Sequence, residues 1–156
     1  MIKMIWCEDK NHGIGIDNSL AWNIKSEMQH FRNETKGQTV VCGEKTFISF
    51  GNKPLPNRKN IVLTLDKNFI APGAIIYNDL HQLLADYKDE TIYIIGGKTI
   101  YKLLFPYADE LIISTLNKSY NCNVFMSFDL SDFKITKTIK NDEFIVNYYK
   151  RIKNGR

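Results

Sequence analysis

"TIYIIGGKTIY", residues 91–101, is a run of β-branched and aromatic residues that stops at two glycines and continues toward Leu103 and Leu104 with helical spacing. It reads as a buried strand, a Gly-Gly turn and the start of a helix. "QTVVCGEKTF", residues 38–47, repeats the scheme with Gly43 at the turn and a helix expected to start at residues 44–46. Strands that alternate with helices predict parallel pairing. Residues 2–7 ("IKMIWC"), 60–65, 74–77 and 110–116 read as further strands. Asp79 is an expected N-cap for a helix reaching Tyr87, with Leu80, Leu83 and Leu84 on its apolar face. Residues 133–139 and 143–152 alternate around a turn at Asn141 and Asp142, which predicts an antiparallel pair. The fold class expected is α/β: a mainly parallel central sheet with an antiparallel C-terminal edge and helices on both faces.

The 156 residues suit one domain, taken as residues 1–156, without repeats or low-complexity segments. The net charge of +4, from 21 basic and 17 acidic residues, favours anionic small molecules without marking a nucleic-acid protein. Cys7, Cys42 and Cys122 are odd in number and widely spaced, as are His12, His30 and His81, so neither a disulfide framework nor a metal site is suggested. Lys3, Glu8 and Asp9 interrupt the N-terminus too early for a signal peptide, and no apolar run approaches a membrane span. The expectation is a cytoplasmic monomer. The basic end "YYKRIKNGR" reads as a strand fraying into a solvated terminus, with nucleic-acid binding as the alternative.

Outward from these strands, "GIGIDNSLAWNIKSEMQHF", residues 13–31, places one acid among large apolar groups. Ser26 as N-cap and Gln29 three residues later form a capping-box pattern, so a helix is expected to begin at Glu27. Met28, Phe31 and Thr35 would form its inward stripe, with Glu27 on the stripe's edge. A first-turn Glu complements the helix dipole in any protein. Beside a long loop carrying Gly13, Gly15 and Trp22, the same carboxylate also suits a ligand pocket. Gly43 before a helix start, with the Thr46 hydroxyl, lets backbone N–H groups approach a phosphate, although such turns are common. Gly96 and Gly97 offer a second approach without the full dinucleotide fingerprint. In "PLPNRKN", residues 54–60, two prolines stiffen the approach to Arg58, whose fork either grips a carboxylate or is simply solvated.

Taken in order, these segments resemble the dihydrofolate reductases, and the resemblance covers nearly the whole chain. It implies NADPH-dependent reduction of 7,8-dihydrofolate to tetrahydrofolate, in one-carbon metabolism, by an enzyme of the kind antifolates target. The catalytic group implied is Glu27, Trp22 and Ser114, with Glu27 fixing the pterin and Ser114 hydrogen-bonding that acid. Ile5, Cys7, Phe31, Phe50 and Leu55 would wall the substrate, and Arg58 would hold the α-carboxylate of its glutamate tail. The residues implied for NADPH are Cys7, Ile14, Gly15, Leu20, Gly43, Lys45, Thr46, Thr64, Ile95, Gly96, Gly97 and Tyr101, with a cis peptide at the glycine pair and no metal. For Ile5, Cys7 and Ile14 the sequence alone does not separate pocket wall from core.

Some positions depart from the family pattern. Glu44, Leu65 and Thr99 stand where basic or polar groups are usual, which leaves NADH use open, and Lys98 stands where a third Gly is frequent. Ala21 replaces a Pro before Trp22, and Cys122, Asn123 and Met126 alter the loop expected to support the one over the cofactor. Two other readings are a riboflavin-pathway reductase of the same architecture and a noncatalytic nucleotide-binding module.

Overall fold

The computed structural model describes residues 1–16 and 20–152; Asp17, Asn18 and Ser19 of the loop motif and the last four residues of the basic tail lie outside that range. The chain runs β1 (Ile2–Glu8), β2 (Gly13–Gly15), α1 (Lys25–Thr35), β3 (Thr39–Gly43), α2 (Glu44–Ser49), β4 (Lys59–Leu63) and β5 (Ile75–Tyr77). It continues through α3 (Leu80–Asp86), β6 (Ile92–Gly96), α4 (Lys98–Leu104), a 3-10 turn at Phe105–Tyr107, β7 (Glu110–Leu116), β8 (Val124–Phe125), β9 (Phe133–Lys140) and β10 (Phe144–Arg151). Eight strands form one sheet in the order β5-β4-β3-β6-β1-β7-β10-β9. Pairing is parallel from β5 to β7 and antiparallel for β10 and β9, the expected architecture.

Side chains on β1 alternate between the two faces, as strand geometry requires. Ile5 and Cys7 join Trp22, Ile24 and Phe47 on the side of α1 and α2, whereas Met4 and Trp6 join Leu83, Ile100 and Leu104 on the side of α3 and α4. The sheet is therefore covered on both faces. Its strand order leaves β6 between β3 and β1, so the carboxyl ends of these three strands meet where open α/β sheets bind ligands.

Helix α1 departs from expectation. It begins at Lys25, two residues before Glu27, and its N-cap is Ile24, which makes no side-chain capping bond. The Met28 N–H already bonds the Ile24 carbonyl at 3.0 Å, which puts Ser26 inside the first turn. Ile24 and Trp22 are each 7% exposed. Burying two large apolar side chains outweighs the ~1 kcal/mol preference for a hydroxyl cap. Met28, expected on the inward stripe, points outward at 42% exposed, whereas Glu27 and Thr35 are buried, with His30, Phe31 and Glu34 half-buried between them.

Strand β4 ends at Leu63 rather than Leu65. The Asp66 N–H bonds the Thr64 hydroxyl, the Asn78 amide bonds the Thr64 carbonyl, and the turn leaves Leu65 90% exposed. The ribbon of β2 and β8, a second sheet, has no counterpart in the sequence reading.

Candidate active site

Glu27 lies in the first turn of α1 and is 7% exposed. Burial pushes its carboxyl upward from the usual range, opposed by a hydrogen bond from the Cys7 thiol. Burial together with the Glu27 charge keeps that thiol protonated, so Cys7 is a donor and not a nucleophile. Ser114 is 2% exposed and stands directly across from Cys7 in the β1–β7 register. The Cys7 thiol, which the sequence reading placed only in a pocket wall, is thus the group that offsets burial of the acid. Trp22 packs edge-on against Tyr120 at 5.5 Å, and its buried indole N–H has no hydrogen-bond partner among the described residues. Such a donor is rare in a folded interior and suits a group that the protein does not itself supply.

Arg58 is held from two sides. Its Nε donates to Thr35 Oγ1 at 2.9 Å and one Nη donates to the Pro56 carbonyl at 2.6 Å. The loop beneath is pinned by buried Asn60, which accepts the Leu55 N–H and donates to the carbonyls of Leu55 and Arg58. Burial lowers the guanidinium pKa and the charge of Arg32 lowers it further, so two cations share this end of α1. Sequence reasoning missed Arg32, because its nearness to Arg58 arises only when α1 packs beside the proline loop. Phe31, Phe50 and Leu55 are half-buried against the cluster that contains Ile5 and Cys7. The predicted apolar wall is thus brought together on one face.

Glycines shape the neighbouring strand ends. Gly43 is the N-cap of α2 and Gly97 that of α4, and the Gly96–Gly97 peptide is cis. A Cβ on Gly96 or Gly97 would stand 3.4 or 3.3 Å from Thr46 Oγ1, and one on Gly43 would stand 2.9 Å from Ile100 Cγ1. Gly43, Thr46, Gly96 and Gly97 therefore form one cradle of close backbone, with Ile95 buried in the adjoining strand. The Tyr101 hydroxyl donates to the Ile5 carbonyl at 2.7 Å and so ties α4 to β1. Around this cradle Lys45 is exposed and Glu44 half-buried. Thr64 follows the Leu63 that pairs with Gly43, and its hydroxyl caps its own turn. Gly15 is buried in β2, Ile14 is half-buried, and Leu20 is 53% exposed.

A family model described as "Dihydrofolate reductase" matches residues 1–151. The dihydrofolate reductase of Ureaplasma parvum serovar 3 is 41% identical over 150 residues, which is 96% of each chain. The dihydrofolate reductase from Enterococcus faecalis, solved with NADP(H) and RAB-propyl, superposes with a TM-score of 0.91 at 26% identity, covering 98% of this chain and 97% of that one. A protein named segregation and condensation protein A, from Mycoplasmoides gallisepticum, is 37% identical over 163 residues; the whole of this chain matches 27% of that protein.

Proposed function

The chain belongs to the dihydrofolate reductase family, and from that premise we propose how its own residues carry out the NADPH-dependent reduction of 7,8-dihydrofolate to 5,6,7,8-tetrahydrofolate. NADPH supplies the hydride when bound; the protein supplies orientation and electrostatics. The residues present fit the dinucleotide: Gly43 and Gly97 stand at the N-termini of α2 and α4, and half-buried Thr46 offers its hydroxyl beside Gly96 and Gly97. Thr64 and Lys45 lie at the adjoining strand end and helix, and are assigned to the 2′-phosphate.

The observation that carries the reading is Glu27, a buried acid on the inward face of α1 held by the Cys7 thiol. Its two oxygens accept from the amino group and ring N–H of the pterin, and its charge favours protonation of the adjacent imine nitrogen. The unpaired Trp22 N–H holds the water that delivers that proton. Ser114 and Cys7 floor the pterin pocket, Phe31, Phe50 and Leu55 enclose the benzoyl ring, and Arg58 grips the α-carboxylate with the guanidinium edge that Thr35 and Pro56 leave free. The three cysteines are free, which suits a reducing compartment, and the reaction is assigned to the cytoplasm and to a one-domain monomer.

Dihydrofolate-dependent oxidation of NADPH and of NADH, at matched concentrations of purified protein, tests this. Rapid turnover with NADPH is expected. Binding of dinucleotide without turnover would instead establish a noncatalytic module.

A further inference from the structure

One buried carboxylate near the site has no part in the chemistry above. Asp9, the residue after β1, is 1% exposed. Its Oδ1 accepts the N–H groups of Asn11 and Gly13, and its Oδ2 accepts that of Tyr120, all at 2.8 Å. The Cys122 thiol donates to the same carboxylate. Burial alone would raise the Asp9 pKa, but the bonds from Tyr120, Gly13, Asn11 and Cys122 outweigh it and hold the group below its ordinary value. It is therefore a permanent anion in the neutral range.

The donors come from two segments far apart in sequence, since Tyr120 is 111 residues from Asp9. Residues 11–13 enter β2 and residues 120–122 approach β8. Beyond Asp9 the two continue as a ribbon, in which the Asn123 N–H bonds the Gly15 carbonyl at 3.0 Å and the Met126 N–H bonds the His12 carbonyl at 2.9 Å. Contact at the junction is so close that a Cβ on Gly13 would lie 2.6 Å from the Cys122 Cβ. Exposed ties run alongside, from the Lys10 N–H to the Lys118 carbonyl and from the Asn11 amide to Ser119, while Glu8 binds Trp6, His12 and Thr115. Asp9 is the more deeply buried of the two acids, at 1% exposed against 8% for Glu8. Two groups of the reaction hang from it: Ile14 and Gly15 in β2, and Trp22, whose ring Tyr120 backs.

We propose that Asp9 is a positioning residue for hydride transfer, its buried carboxylate gathering backbone N–H groups from both segments so that the Ile14–Gly15 wall and Trp22 keep a fixed separation. The proposal rests on the functional reading above, with Ile14 and Gly15 among the residues that the resemblance implies for NADPH and Trp22 holding the water that serves the pterin. Small errors in the approach of two reacting atoms act on rate far more than on binding.

Asp9→Asn preserves shape and one acceptor oxygen but turns an NH2 either toward Tyr120 or toward Asn11 and Gly13. The expected result is a single-turnover hydride-transfer rate lower by roughly tenfold, with dissociation constants for NADPH and dihydrofolate changed less than about threefold. The control is Asp79→Asn at the α3 N-cap, where the carboxylate accepts the His81 N–H; it is expected to leave the transfer rate alone. Cys122→Ala removes one donor without touching the acid and is expected to slow transfer by about threefold, which keeps the proposal open to test if Asp9→Asn does not fold. Wild-type transfer rates in folded Asp9→Asn, or in Cys122→Ala where the first variant does not fold, would overturn the positioning role alone. Absence of dihydrofolate-dependent NADPH oxidation by the unaltered protein would overturn the functional reading and the positioning role with it.

Discussion

The pocket beside α1 and the cradle beside α2 and α4 are built on opposite principles. The first is made of side chains that are present and tied down: Glu27 by Cys7, Arg58 by Thr35 and Pro56, Asn60 by the loop it spans. The second is made of side chains that are missing, at Gly43, Gly96 and Gly97, with Thr46 against Gly96 and Gly97 and Ile100 against Gly43. A pocket that recognises charge and ring edges depends on particular functional groups, so single substitutions there should act strongly and on the substrate. A cradle that recognises a pyrophosphate through backbone should respond to added bulk, and only weakly to changes of charge at its exposed rim.

The largest effect expected is that of Glu27→Gln, which keeps the shape but loses the charge-assisted pair of bonds and lowers steady-state turnover by about 10²-fold to 10⁴-fold. Near-normal turnover across the pH range would break the comparison outright. The same variant should unfold at a higher temperature than the parent near pH 7. Burial raises the Glu27 pKa in the folded chain, so the folded state binds the proton more tightly than the unfolded one, and stability from this group falls as pH rises from the ordinary carboxylate value through the raised one. Gln has no such loss. Thermal melts of ligand-free protein should therefore show an advantage for Glu27→Gln at neutral pH that shrinks on acidification.

Next comes Arg58→Leu. Losing a charged fork should raise KM for dihydrofolate by about 10-fold to 100-fold while kcat changes little, and initial-rate measurements separate the two. Gly43→Ala carries the comparison to the cradle. The backbone there, with φ −87°, accepts Ala, but the new Cβ presses on Ile100, so NADPH affinity measured by fluorescence titration should weaken roughly tenfold with dihydrofolate affinity unchanged. Equal losses for both ligands would mean that the two regions are not separable. The smallest change is that of Glu44→Arg at the rim, which should raise the ratio of NADPH to NADH catalytic efficiencies by about threefold to tenfold. An unchanged ratio would place Glu44 away from the 2′-phosphate.

Much of this was legible beforehand because burial patterns are local. Strand β7 occupies the residues that its apolar run marks, the β9–β10 pair turns at Asn141 and Asp142, and Asp79 caps α3 as its side chain suggests. The misses have a common cause. Helix α1 starts early because Ile24 and Trp22 are buried by partners distant in sequence, and β2–β8 is a pairing too short to carry a pattern of its own. Cys7 was legible as strand, but its bond to Glu27 was not, since nothing in β1 indicates which side chain of α1 will face it.

By itself, then, the sequence determined the alternation of strands and helices, the glycines at strand ends and the family motifs that name Glu27 and Arg58, because periodicity, backbone freedom and side-chain chemistry are written residue by residue. Tertiary structure alone decided that the Cys7 thiol faces Glu27, that Arg32 shares a field with Arg58, and that Asp9 joins segments 111 residues apart. Hydrogen bonds and charge fields depend on distances of a few ångströms between groups remote in the chain, and only packing sets those distances.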